Sequence, residues 1–226
     1  MSKKTIKNPV DNISFNHQVT RDGIVDFEPD SLIKIKTKIY GNLYIENEDD
    51  VETKEIGEAT AYVYDFDRFY EYYGINPFMA VSGYSSDVKN FFERFLIDPK
   101  TGFYSKRFLK AINKKLNLDI LEEYCEDAIY SIRRIIMVHN RETYPDYRGN
   151  GITPKYYKDL DETFRPDLII TYPYPLQFSG DNPKNDEFGL SFEAAMKKLR
   201  SIYAKAGMKP LYDGWMGMIG QGFIGY

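Results

Sequence analysis

The sequence predicts a mixed α/β domain in which a largely antiparallel sheet is flanked by helices. Three observations carry this. Ile33, Ile35, Thr37 and Ile39 alternate with Lys34, Lys36 and Lys38, and a second alternating stretch follows an acidic turn, so the pair reads as a hairpin with one wet face. After Phe66 the apolar residues recur three and four apart, which is helical spacing. From Ser131 onward apolar runs alternate with helical stretches.

Composition sets the outer bounds. A chain of 226 residues buries roughly 70% of its unfolded surface, enough for a substantial core. Hydrophobic residues make up 42% and charged residues 28%, ordinary values for a globular protein. The net charge of −4 and a pI near 5.4 argue against a general nucleic-acid binder. Cys125 is the only cysteine, which rules out an internal disulfide and suits a reducing cytoplasm, the expected location. No apolar stretch is long enough to span a bilayer, and the N-terminus lacks an apolar signal core, so no membrane partner is expected. The 20 Tyr and 15 Phe read as a tyrosine-rich core and surface.

The elements follow in order. Residues 1–30 are polar with scattered apolar positions and are expected to be partly disordered or peripheral, with a short strand at Ile24–Phe27. Leu32–Glu46 and Ile56–Asp65 form the hairpin. Between them, Asn47-Glu48-Asp49-Asp50 lacks the spaced ligands of a calcium loop, so no metal is expected. Residues 66–126 form a helical insertion before the central strand. In it Ser85-Ser86-Asp87 caps a helix through Leu96, and Phe108–Ile112 and Leu116–Tyr124 continue as helix. Ser131–Thr143 is the central strand, and Lys155–Phe164 is a helix. Pro166–Tyr172 is a buried strand, and an irregular segment runs to Gly189. Ser191 caps a helix over Phe192–Ala206, with Phe192, Ala195, Met196, Leu199, Ile202 and Tyr203 on its apolar side and Gly207 closing it. Met208–Leu211 and the glycine-rich tail supply the last strands. No linker divides the chain, so residues 1–226 read as one domain.

One stretch carries chemistry. Arg148-Gly149-Asn150-Gly151-Ile152-Thr153 follows the apolar run Ile135–Val138 and precedes a helix. Glycines let backbone N–H groups converge, and a helix N-terminus adds partial positive charge, so the turn suits a phosphate or diphosphate. Thr153-Pro154 reads as an N-cap followed by proline at the first helical position.

Arg148, Gly151 and Thr153 fall on the defined positions of a phosphate loop written Arg/Gln-x-x-Gly-x-Gly/Ala, and Tyr203 to Met208 matches a Tyr-x-x-x-Gly-Phe-like helix end. With these motifs in the order strand, loop, helix, strand, helix, strand, the chain resembles the GNAT superfamily, the Gcn5-related N-acetyltransferases, from about Ser131 to Trp215. The resemblance implies a GNAT-like fold and acetyl-CoA, or another acyl-CoA, as cosubstrate. The diphosphate would sit on the amides of Arg148, Gly149, Asn150, Gly151, Ile152 and Thr153. The pantetheine arm would pair with the central strand through backbone groups near Arg141 and Thr143, where that strand splays from its neighbour. Tyr203 is the implied general acid for the departing thiolate. His139 and Glu142 are the candidate bases. Gln177 and Ser179 lie where acceptor-facing residues are expected. The acceptor is an amine of unidentified structure, with no nucleic acid involved, and a homodimer is compatible with the pattern. Two departures stand out: Thr153-Pro154 replaces the last small residue and removes one N–H, and the helical block separates the hairpin from the central strand. The alternative is a catalytically inactive GNAT-fold binding or structural protein.

Overall fold

The computed structural model describes residues 9–21, 32–44, 51–66, 89, 91–120, 131–175 and 190–223. They build a mixed α/β structure around a seven-stranded sheet of order β1-β2-β3-β4-β5-β7-β6. The strands are β1 (Ile13–Arg21), β2 (Leu32–Tyr44), β3 (Val51–Asp65), β4 (Arg134–Thr143), β5 (Leu168–Thr171), β6 (Lys209–Pro210) and β7 (Met216–Ile219). The α-helices are α1 (Lys106–Ile112), α2 (Ile152–Phe164) and α3 (Phe192–Lys205). Every neighbouring pair is antiparallel except β4 and β5, whose parallel pairing requires the crossover that α2 supplies.

Period-two alternation divides the core into two layers. Tyr64, Ile135, Met137, Leu168 and Ile170 face the helical segment that carries α1, where Phe92, Phe95, Tyr104 and Phe108 are buried against them. Ala61, Val63, Ile136, Val138 and Ile169 face α2 and α3, where Tyr156, Tyr157, Leu160 and Tyr203 close the second layer. Strand β4 is thus covered on both sides, which explains the unbroken apolar run Ile135–Val138. Part of the tyrosine-rich composition goes into these layers: Tyr64, Tyr104, Tyr156 and Tyr157 are among the largest fully buried side chains.

The hairpin follows the predicted pattern, with Ile35, Thr37 and Ile39 buried and Lys36 and Lys38 exposed. It pairs directly with β4, so the helical segment between them leaves the sheet continuous and covers one face. Gly57 matters at the far end of this pairing. A Cβ there would lie 2.4 Å from the Glu142 carbonyl oxygen, so only glycine lets β3 close on β4 at that point.

Several boundaries differ from the sequence reading. Residues 13–21, expected to be peripheral or unstructured, form edge strand β1. Its inward positions are Phe15 and His17, and the polar residues between them hide the alternation. Helix, expected to continue over Leu116–Tyr124, stops at Asn117 among the described residues, and residues 121–124 lie outside them. A π-helical turn ends at Asn117, because the Asn113 side chain bonds both the N–H and the C=O of Ile120 and holds the intervening chain extended. Residues 92–96 likewise form a π-helical turn. Phe192, expected on the apolar side of α3, is 38% exposed and packs against Tyr174. The expected strand at residues 24–27, the acidic turn at 47–50, the cap at 85–87, Cys125, Gln177 and Ser179 lie outside the described residues. Among the described residues no helix is long and apolar enough to cross a membrane.

Candidate active site

Strands β4 and β5 pair over four positions only, Ile135↔Leu168 to Val138↔Thr171. Strand β4 then continues to Thr143 against β3, while β5 ends at Thr171. The two diverge for two reasons. After Thr171 comes Tyr172-Pro173-Tyr174-Pro175, and prolines two residues apart remove successive amide donors from one strand edge. On β4 the register against β3 slips between Asn140↔Thr60 and Val138↔Ala61, which leaves His139 as the extra residue of a bulge.

The other end of the pair is held shut. Asp167, only 2% exposed, accepts hydrogen bonds from the amides of Arg133 (2.7 Å) and Arg134 (2.8 Å), and its own N–H donates to the Arg134 carbonyl. Near the fork, the Thr171 hydroxyl donates to the Val138 carbonyl at 3.1 Å. The strands are clamped at one end and open at the other.

The opening is a cleft of about 280 Å³, counted to its mouth, lined by Val138, His139, Asn140, Arg141, Thr171, Tyr172, Tyr174 and Tyr203. The bulge decides which side chains face which layer. Beyond His139 the alternation is reversed, so Arg141 stands on the α3 side, its guanidinium carbon 5.9 Å from the centre of the Tyr203 ring. His139 stands on the opposite side, edge-on to Tyr62 at 6.2 Å. Arg141 also donates to the Thr143 hydroxyl at 3.1 Å. The Asn140 Oδ1 and Arg141 Nε are buried with no hydrogen-bond partner among the described residues. Such orphaned groups are costly unless a ligand or water satisfies them.

Tyr203 sits near the end of α3, 5% exposed, with its ring 5.5 Å from that of Tyr157. Helix α3 is set as the sequence predicts: the Ser191 hydroxyl accepts from the Ala194 N–H, and Gly207 adopts φ +90°. Beneath the cleft, burial pushes the Tyr156 and Tyr157 phenols far up, so both stay protonated.

The glycine turn lies at the end of β4. Gly149 (φ 102°) and Gly151 (φ 69°) both adopt left-handed backbone, and a Cβ on Gly151 would meet nothing within 4 Å. Gly151, and not Thr153, is the N-cap of α2; Thr153 lies inside the first turn with its side chain buried. The left-handed cap starts the helix two residues earlier than the Thr-Pro signal suggested. Pro154 therefore falls in the first turn, where its missing N–H breaks no helical bond. The amides of Gly149, Gly151, Ile152 and Thr153 have no partner among the described residues, whereas the Arg148 amide donates to the Pro145 carbonyl. Arg148 Nε donates to the Thr143 carbonyl at 3.0 Å. Asn150 bridges the Val10 amide and the Tyr147 carbonyl. Both side chains hold the turn against its surroundings.

Tyr144 fixes the start of this turn. Its N–H donates to the Ile56 carbonyl, and its hydroxyl donates to Glu55 at 2.7 Å. That bond to Glu55 pushes the Tyr144 phenol up to about 12, and Lys38 on the other carboxylate oxygen holds Glu55 low.

Of the residues nominated from sequence, Tyr203, His139 and Arg141 share the cleft. Glu142 pairs across the ladder with Glu58, outside the described lining. Thr143 and the turn residues lie along the continuation of β4. Sequence reasoning missed Asn140, Thr171, Tyr172 and Tyr174 as lining residues; the Tyr-Pro-Tyr-Pro run was a usable signal for the last two. It also missed Asp167, which no local pattern marks. Comparison with family models, with curated proteins and with solved structures finds no match to this chain.

Proposed function

We propose that this protein is an acyl-CoA-dependent N-acyltransferase of GNAT-like fold, transferring an acetyl group to an amine. The observation that carries this is the fork between β4 and β5 at Val138 and Thr171, with Tyr203 and His139 both in the lining of the opening. The residues suit the cosubstrate. The edge of β4 from His139 to Glu142, paired with no strand among the described residues, accepts an extended amide-bearing arm by backbone pairing. The buried orphans on Asn140 and Arg141 supply polar partners beside it. The amides of Gly149, Gly151, Ile152 and Thr153, at the N-terminus of a 13-residue helix and without partners among the described residues, suit a diphosphate.

Acyl-CoA supplies an activated thioester and a thiolate leaving group. The rest belongs to the chain. His139 takes a proton from the incoming ammonium, directly or through water, because only the free amine has a lone pair. The amine nitrogen then bonds to the acyl carbon as the carbon–sulfur bond breaks. Tyr203 gives its phenolic proton to the departing sulfur, and the second proton shed by the nitrogen restores the phenol through water. Arg141, over the Tyr203 ring, stabilises the negative charge that develops there. Glu142 is not among the residues that line the opening, so the base role goes to His139.

The test has two arms. Acetyl-CoA is expected to raise the unfolding temperature, equivalent to about 2.7 kcal/mol when present at about 100 times its Kd. Gly151→Trp, which places an indole in the open space before the free amides, is expected to abolish that rise. Gly151→Asn, which tolerates the left-handed backbone, is expected to keep much of it. Release of free thiol with a panel of amines then separates an enzyme from a GNAT-fold protein that only binds. No thermal response in the wild type overturns the acyl-CoA assignment.

A further inference from the structure

Edge strand β1 has an unusual outer rim. Its nine residues, Ile-Ser-Phe-Asn-His-Gln-Val-Thr-Arg, contain no proline and no charge before Arg21. Exposed edges are normally blunted by lysine, proline or a bulge, because their free N–H and C=O groups recruit other strands. On the inner side, Asn42 directs both its amide and its carbonyl at the β1 segment. By alternation Tyr40, Lys38, Lys36 and Lys34 do the same, and they pair with Ser14, Asn16, Gln18 and Thr20. The backbone groups of Phe15, His17 and Val19 therefore point outward, and none has a partner among the described residues. Val19 is 51% exposed on the same face as the half-buried Phe15.

We propose that β1 is a homodimer interface, in which a second copy of the chain pairs antiparallel with it about a two-fold axis through His17. The strand is complementary to itself in that arrangement. Phe15 lies opposite Val19 of the second copy, covering the exposed valine. Asn16 lies opposite Gln18, and Ser14 opposite Thr20, so amide meets amide and hydroxyl meets hydroxyl. His17 meets His17 of the second copy on the axis, each held by the Asp159 of its own chain, and no lysine, arginine or carboxylate of the strand faces its like. The cationic rows Lys34, Lys36 and Lys38 of the two copies end up three strand spacings apart, about 14 Å, well beyond the ~8 Å screening length at physiological salt. The result is one sheet continuing through both molecules, with the two clefts far from the shared edge. This surface is independent of the acyltransferase reading.

Sedimentation equilibrium and light scattering on the full chain test it. The wild type is expected at twice the 26.4 kDa chain mass. N16E/Q18E places each new carboxylate beside Lys38 or Lys36 of its own chain, so β1 stays paired with β2. Across the axis it opposes Glu to Glu twice, and the mass is expected to fall to that of one chain. N16E/Q18K opposes Glu to Lys across the axis and is expected to restore the dimer. Val19→Lys, which buries a charge against Phe15 of the second copy, is expected to weaken it. Circular dichroism confirms that each variant is folded. A monomeric wild type, or an N16E/Q18E variant that still runs as a dimer, overturns the proposal.

Discussion

Tyr203→Phe is expected to lower the rate of amine-dependent thiol release by about 10²- to 10⁴-fold, the usual contribution of a positioned acid, while acetyl-CoA still raises the unfolding temperature as in the wild type. The ring is buried against Tyr157 and under the Arg141 guanidinium, and phenylalanine keeps those contacts. Only the transferable proton is lost. The deficit is therefore expected in kcat, and to shrink for acyl donors whose leaving thiol has a lower pKa, since these need less help. His139→Asn is expected to differ. It removes the proposed base on the opposite side of the sheet, so its deficit is expected to diminish as pH rises and the amine arrives already deprotonated. A Tyr203→Phe enzyme with unchanged turnover removes the phenol from the mechanism, whatever becomes of the fold.

The second large effect concerns stability. Asp167→Ala is expected to destabilise the protein by about 3–6 kcal/mol, since two partly buried amides lose bonds to a carboxylate acceptor, each worth roughly 1.5–3 kcal/mol. Those amides belong to Arg133 and Arg134, where β4 begins, and Asp167 stands immediately before β5. Asp167→Asn keeps an oxygen that can accept from both and is expected to recover a substantial part of the loss. Urea denaturation reads the difference as a shift in midpoint at constant slope. Because this clamp holds the two parallel strands together at one end, loosening it is also expected to weaken acetyl-CoA binding at the other. A loss below about 1 kcal/mol, typical of a single neutral hydrogen bond, shows that the strands are held by packing alone.

Much of the fold could be read from one residue to the next. The β2–β3 hairpin is written in its alternation, α3 in its serine cap and closing glycine, and the paired β4 and β5 in their unbroken apolar runs. What escaped has a common cause. Strand β1 places asparagine, glutamine and histidine where alternation is hard to see, and its own His17 bonds Thr37 and Asp159, residues far apart in the chain. The π-helical turns and the end of helix at Asn117 depend on side chains reaching several residues ahead. At the candidate site, the glycine turn and Tyr203 each carry a local signature. Asn140, Thr171 and Asp167 carry none.

The alternation of β2 and β3, the apolar runs of β4 and β5, the two ends of α3 and the glycine turn after β4 are properties of short stretches, and the sequence by itself determined them. The fork was decided elsewhere. Whether β5 leaves β4 at Val138 depends on a bulge defined only against β3, on prolines whose missing donors matter only beside a neighbour, and on an aspartate that reaches across to two amides. Each of these acts between segments distant in the chain. Only their three-dimensional assembly puts His139, Arg141 and Tyr203 around one opening.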